Sequence, residues 1–303
     1  MQNILSYYYN LYPTNIEKKD SNYYFEYNST MYVFKLYDRP ESDIQAIYDL
    51  NKKMILVDKI ILNKDENVIT SIDDKKYILL EKVFSEDNVT LKDICYLNNT
   101  SINIKCSELL NRMNWVSLWE SKNDYIESQL QEINKKYNNL TKYVNYYIGI
   151  SENACLYTKK ALSINGITLS CVCHKRINPD LYDPLDFIYD YRVRDAAEYI
   201  KTSFFNDKDS MLLVKEYFDN NYLSYKEALL FYARLLYPSY FFDLYEDIIN
   251  ESLDENLINK IIIKAEKYEL FLSHTEKYIS SLYNSYIPLL NWLKKEDASP
   301  LQH

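Results

Sequence analysis

The spacing of apolar positions along this chain changes near residue 90. Before it, short aromatic and β-branched runs alternate with turn residues; after it, apolar residues recur every three or four positions. Residues 23–27 and 31–37 flank Asn28-Ser29-Thr30, which predicts a β-hairpin. Pro40 and Glu41 then open a predicted helix over 42–54, with Ile44, Ile47, Tyr48 and Met54 on its apolar side. Further strands are predicted at 57–62, 68–72 and 77–83, the last two joined by a turn at Asp73-Asp74.

Beyond residue 90 the pattern is helical. A helix is expected over 102–112. Trp115 and Trp119 follow at i,i+4 spacing, and Ile126, Leu130, Ile133 and Tyr137 extend the same stripe, which reads as core packing. Residues 154–162 predict another helix, and 167–173 a strand. An irregular stretch with Pro179 and Pro184 leads to a short strand at 185–189. Helices are expected at 195–204, 208–221, 224–236, 240–250, 255–271 and 273–295, the last kinked at Pro288. The fold class is therefore α+β: a small β-rich lobe with one helix, then a large helical lobe interrupted by a β insert.

Composition narrows the chemistry. The only glycines among 303 residues are Gly149 and Gly166, far apart in the chain. Average usage would give roughly twenty. Phosphate-gripping loops of the Rossmann, P-loop and kinase types each need glycines close together, so that backbone N–H groups can approach the anion. No such cradle exists here. A net charge of −9 with interspersed signs disfavours nucleic acid as a partner, because phosphate neutralisation needs clustered cations. The 33 tyrosines are then better read as core and surface aromatics than as a base-stacking platform.

The opening M-Q-N-I-L-S-Y-Y-Y-N lacks the basic and apolar regions of a secretory signal, and no membrane span is expected. The five cysteines (Cys95, Cys106, Cys155, Cys171 and Cys173) are odd in number and lack metal-ligand spacing, which predicts reduced thiols. Cys171 and Cys173 share one face of a strand while His174 points away, so zinc ligation is disfavoured and buried structural thiols are expected.

The order of elements resembles the protein-kinase-like fold, with an N-lobe over 1–85 and a helical C-lobe over 86–303. In that likeness V-F-K-L places Lys35 where the phosphate-clamping lysine sits, and Glu41 or Asp43 near its helix acid. The strand Y-I-L-L-E-K-V, with Glu81, takes the hinge position. C-V-C-H-K-R-I-N falls where aminoglycoside-phosphotransferase-like proteins carry H-G-D-x-x-x-x-N, and L-D-F-I-Y-D-Y-R-V-R-D-A-A-E-Y-I-K resembles their I-D-F-D segment. W-V-S-L-W-E-S-K-N-D-Y-I-E and the R-D-A-A-E run are similar to the spore-coat kinase-like family of the CotS/YutH type.

The likeness implies Lys35 and Glu81 in a remnant nucleotide cleft, and a degenerate catalytic loop at 167–195. His174 is followed by Lys175 and Arg176 where the catalytic Asp belongs, and a guanidinium accepts no proton at neutral pH. Leu181 and Tyr182 replace the metal-binding Asn, with Asn178 and Asp180 out of register. Lys35 also reads as a solvated strand-edge lysine. His174 is expected to hold the loop through backbone or an Asp. Asp195 is expected to N-cap a helix in a capping box with Glu198, with Arg192 or Arg194 pairing a nearby carboxylate.

The resemblance thus implies an inactive kinase-like protein of the endospore coat or its assembly, in the mother-cell cytoplasm or the coat. Its partners would be other coat proteins, and no cofactor is expected. The alternative is a divergent small-molecule phosphotransferase using ATP and Mg²⁺. It would clamp phosphate with Lys35, hold the metal through Asp186 or Asp190, and use Asp180 or Asp183 as base.

Overall fold

The computed structural model describes residues 1–83, 89–177 and 180–285. They form two compact units. The first comprises residues 1–113 and 169–192; the second comprises 114–168 and the described residues from 193 onward. Residues 89–113 and the loop segment therefore group with the sheet, whereas the sequence reading set its boundary at 85.

The first unit begins with a helix that sequence patterning missed, α1 (Gln2–Tyr9), which lacks a side-chain cap and buries only Leu5. Strands β1 (Ile16–Lys19), β2 (Asn22–Tyr27) and β3 (Thr30–Leu36) follow as an antiparallel meander. The β2–β3 reversal puts Asn28 and Ser29 at φ 51° and 62°, the two left-handed residues of a tight hairpin turn. Helix α2 (Glu41–Asn51) buries Asp43, Ala46, Ile47 and Leu50. Its inward face is thus turned from the expected one, because Asp43 is drawn in by Arg39, and Ile44 and Tyr48 stay half-buried.

Strands β4 (Lys59–Ile61) and β5 (Thr70–Ile72) both pair with β6 (Lys75–Glu81), giving the order β1-β2-β3-β6-β4 with β5 beside β6. Asp73 and Asp74 make the second glycine-free hairpin turn, at φ 47° and 62°. One sheet face buries Phe25, Phe34, Tyr77 and Leu79 beneath Leu5 of α1. The other carries Val33, Ile78 and Leu80, also buried. Covering both faces explains the continuous apolar run in β6.

The helix expected over 102–112 is instead α3 (Leu91–Thr100), followed by a single 3₁₀ turn, Glu108–Leu110. Thr90 and Asp93 form a reciprocal capping box that fixes its start, a local signal stronger than the apolar spacing further on. Strands β7 (Ser170–His174) and β8 (Phe187–Tyr191) complete this unit as an antiparallel ribbon. Asn98 Nδ2 donates to Val172 O and so ties α3 to β7.

The second unit is helical among the described residues. α4 (Trp115–Ile133) breaks at Asn134, so the stripe does not run on through Tyr137. α5 (Asn138–Ser163) is far longer than the 154–162 segment foreseen. It is followed by α6 (Arg194–Phe205), α7 (Ser210–Asn220), α8 (Tyr225–Leu236), α9 (Ser239–Ile249), α10 (Ile258–Ile262) and α11 (Ala265–Tyr283). Every residue of α8 from Glu227 to Leu236 is buried, the mark of a central helix. The expected break near 272 lies instead at Ile263–Lys264, and the expected kink at Pro288 falls outside the described residues.

Candidate functional site

Lys35 lies in the middle of β3, flanked by β2 and β6, so the strand-edge reading does not hold. Its ammonium donates to Asp183 Oδ2, and the Asp183 side chain is fully buried. Asp183 Oδ1 accepts from Leu185 N at 2.8 Å and thereby caps the 3₁₀ turn Pro184–Asp186. Burial raises the Asp183 pKa, against the pull of Lys35. Burial, the largest single influence, would lower that of Lys35, but the charge and hydrogen bond of Asp183 together with the charges of Asp186 and Asp180 make the net shift upward.

Neither expected helix acid pairs with Lys35. Glu41 pairs with Lys76, and Asp43 with Arg39 at 3.1 Å. Arg39 Nη1 also donates to Leu185 O and Phe187 O, each at 2.9 Å, clasping the 3₁₀ turn to the start of α2. A guanidinium fork suits this task, since one planar group serves two carbonyls and a carboxylate. The spacing of Arg39 and Asp43 at i,i+4 was a readable signal.

A second lysine repeats the arrangement. Lys82 donates to Asp180 and lies 2.7 Å from Asp58 Oδ2, a charge contact without hydrogen-bond alignment. Asp58 Oδ1 accepts from Val83 N at 3.0 Å, and Asp58 N donates to Tyr182 O at 3.0 Å. Burial pushes Asp58 up to about 6, against the pull of Lys82. Sequence reasoning passed over Lys82 and Asp58, which end and precede apolar strands and match no motif.

The loop is closed by short contacts. His174 Nε2 lies 2.7 Å from Leu181 O, which sets the proton on that nitrogen, and Lys175 N donates to Asp186 O at 2.8 Å. Arg176 is exposed and donates to Lys175 O. Cys171 and Cys173 are buried with their sulfurs 3.7 Å apart, on the strand face opposite His174.

Glu81 does not join Lys35. Lys35 pairs with Ile78 and Tyr32 with Glu81, so strand alternation turns Lys35 and Glu81 to opposite faces. Asp190 is buried and its Oδ1 accepts from Tyr191 N at 2.7 Å, whereas Asp186 is half-buried on the 3₁₀ turn near Lys35. Among the described residues no three His, Cys, Asp or Glu groups converge, although Mg²⁺ carried by a nucleotide needs only one or two carboxylates. The carboxylates of Asp180 and Asp183 are instead held by lysines.

In the second unit the two family-like motifs meet. Trp115 stacks on Trp119 at 5.2 Å and Trp119 on Tyr237 at 4.3 Å, with the Arg234 guanidinium 5.4–5.7 Å from all three rings. Arg234 Nε donates to Glu198 at 2.6 Å. Glu198 also accepts from Lys201 at 3.0 Å and Ser239 Oγ at 2.9 Å, while Lys201 donates to Tyr237 O at 2.7 Å. Burial lowers the Lys201 pKa to about 8. Glu198 is held far below the usual carboxylate range: burial would raise it, but Lys201 and Arg234 prevail. Glu198 therefore serves this cluster rather than a capping box. Val193, not Asp195, caps α6, and buried Asp195 pairs with Arg194 at 3.3 Å.

Three comparisons with known proteins agree on this architecture. The family model described as spore coat putative kinase YutH matches residues 2–279. The endospore coat-associated protein YutH of Bacillus subtilis (strain 168) is 25% identical over 211 residues. That match covers 60% of this chain and 61% of the relative. Among solved structures, an aminoglycoside phosphotransferase from Alicyclobacillus acidocaldarius superposes with a TM-score of 0.60 at 10% identity, covering 89% of this chain and 93% of the other. Choline kinase LicA from Streptococcus pneumoniae gives 0.53 at 13% identity, covering 92% and 97%. These likenesses show the α+β kinase-like fold. With the family model matched across nearly all the described residues, this chain belongs to the spore coat putative kinase YutH family.

Proposed function

We propose that this chain is a kinase-like protein without phosphoryl-transfer activity, acting as a structural or interaction component of the endospore coat or its assembly. The observation that carries this reading is the occupation of Lys35 by buried Asp183. A lysine that clamps phosphate must present its charge to the nucleotide. Here that charge meets a fully buried carboxylate next to the loop rather than the helix acid of the family pattern, and Arg176 stands where that pattern has its catalytic acid. The coat association of the B. subtilis relative supports coat proteins as partners, with the mother-cell cytoplasm or the coat as location.

A second reading, a divergent small-molecule phosphotransferase using ATP and Mg²⁺, draws support from the fold shared with an aminoglycoside phosphotransferase and choline kinase. Thermal unfolding with ATP and Mg²⁺ separates the two. Saturating nucleotide at about a hundredfold over Kd would stabilise the fold by about 2.7 kcal/mol. No shift is expected, together with co-purification of coat proteins from sporulating cells. A shift that Lys35→Ala abolishes would overturn the inactive reading.

A further inference from the structure

Cys171 and Cys173 stand on one face of β7, wholly buried, with their sulfurs 3.7 Å apart. They lie outside the lysine–aspartate pairs around Lys35 and Lys82. The ribbon register, with Cys171 opposite Asp190 and Cys173 opposite Ile188, keeps the strand extended between them. Same-face positions of such a strand lie about 6.6 Å apart, whereas a disulfide allows about 4.5 Å at most between its Cβ atoms. The two thiols therefore lean toward each other across a gap that an S–S bond does not close without bending β7.

A single ion held by both sulfurs needs no such bend. Two metal–thiolate bonds of about 2.3 Å reach both sulfurs from one point. Among the described residues no third His, Cys, Asp or Glu completes a larger set around them. His174 lies on the opposite strand face, with its Nε2 on Leu181 O. An ion that demands four ligands, such as Zn²⁺, is therefore not served. Monovalent copper is stable with two sulfurs, and soft thiolates select it. The surroundings match: Ile188 and Ile102 pack with the thiols, and Asn98 Nδ2 reaches Cys173 Sγ at 4.0 Å, where its N–H faces the sulfur as an outer partner.

We propose that Cys171 and Cys173 form a two-coordinate site for Cu(I), entered past Ile102, the half-buried side chain of this cluster. Binding replaces two S–H bonds by two Cu–S bonds and releases two protons to solvent. Copper stays monovalent throughout, so no oxidant or reductant is consumed, and the loaded site carries one net negative charge. Cys173 gives up its hydrogen bond to Tyr191 O, 3.6 Å away, and Asn98 supplies a donor to the resulting thiolate.

The test is anaerobic titration of the full chain with Cu(I) in competition with bicinchoninate, whose coloured complex reports the copper that the protein does not hold. One retained equivalent is expected. Its affinity should weaken at least about a hundredfold on Cys171→Ala or Cys173→Ala, more than the loss of an outer partner costs. The triple variant Cys95→Ser, Cys106→Ser, Cys155→Ala is expected to keep that equivalent, since it leaves the pair intact. Copper X-ray absorption of the loaded wild type should show two sulfur neighbours, a reading that stands even where a core substitution prevents folding. Excess Zn²⁺ is expected to leave the copper in place. No retained equivalent, unchanged affinity in both single variants, loss of copper in the folded triple variant, a third sulfur at the copper, or displacement by Zn²⁺ would each overturn the proposal.

Discussion

The Lys35 ammonium and the fully buried Asp183 carboxylate, 148 positions apart in sequence, form a part-buried ion pair that ties β3 to the 3₁₀ turn before β8. Removing one partner strands the other's charge. Lys35→Met is expected to cost about 3–5 kcal/mol in urea unfolding. Pairing it with Asp183→Asn should restore most of that loss, because two neutral groups leave no buried charge. A double variant no more stable than the single one would show that the pair does not hold the loop.

Asp58 gives this unit a pH dependence. Its folded-state pKa is raised to about 6, whereas an unfolded Asp titrates near 3.9. The folded protein therefore takes up this proton first. The resulting stabilisation is complete below about pH 4 and is lost as pH rises through about 6. The difference amounts to about 3 kcal/mol. Relative to Asp58→Asn, the wild type should lose that much between about pH 4 and pH 7.5. Parallel stability curves for the two proteins would refute the assignment.

Gly149 sits inside α5, and a methyl group built there meets nothing within 4 Å. Gly149→Ala is expected to raise stability by about 0.5–1 kcal/mol, the helix penalty of glycine. Gly166, at φ 137°, lies where a side chain is strained, so Gly166→Ala should destabilise. Chemical unfolding of the two variants, run side by side, checks both signs.

Trp119 is packed between Trp115 and Tyr237. Trp119→Ala should cost about 3–5 kcal/mol through the cavity it leaves. Following tryptophan fluorescence during unfolding would measure it. A cost below about 1 kcal/mol would mean that the motif is not core packing.

The two halves of the chain were not equally legible. Hairpins announced themselves through Asn28-Ser29 and Asp73-Asp74, and most later helices through apolar spacing. Helix α1 gave no such signal, having no cap and one buried residue. In the site, His174 and Lys35 were singled out by position, but their partners were not. Leu181 O is a backbone atom, and Asp183 was weighed only as a base. The i,i+4 spacing of Arg39 and Asp43 is local, but the bonds of Arg39 to Leu185 and Phe187 and the roles of Asp58 and Lys82 are contacts between distant segments, which no local pattern records. Asp195 misled because its capping sequence lies two residues too late: α6 begins at Arg194 with Val193 at its N-cap, where tertiary packing overrides the local preference.

The bends of this chain carry one more consequence. Gly166 apart, positive-φ backbone among the described residues is adopted by Asn, Asp, Ser and Glu, from Asn10 to Asn284. Each such corner stores a small steric cost in the native state. A polymer with almost no glycine, however, has fewer ways to wander once unfolded, so less disorder is surrendered when it folds. Durability in this molecule is thus divided between strained corners and a stiff random coil, and glycine placed at Asn28 or Asp74 would exchange one for the other.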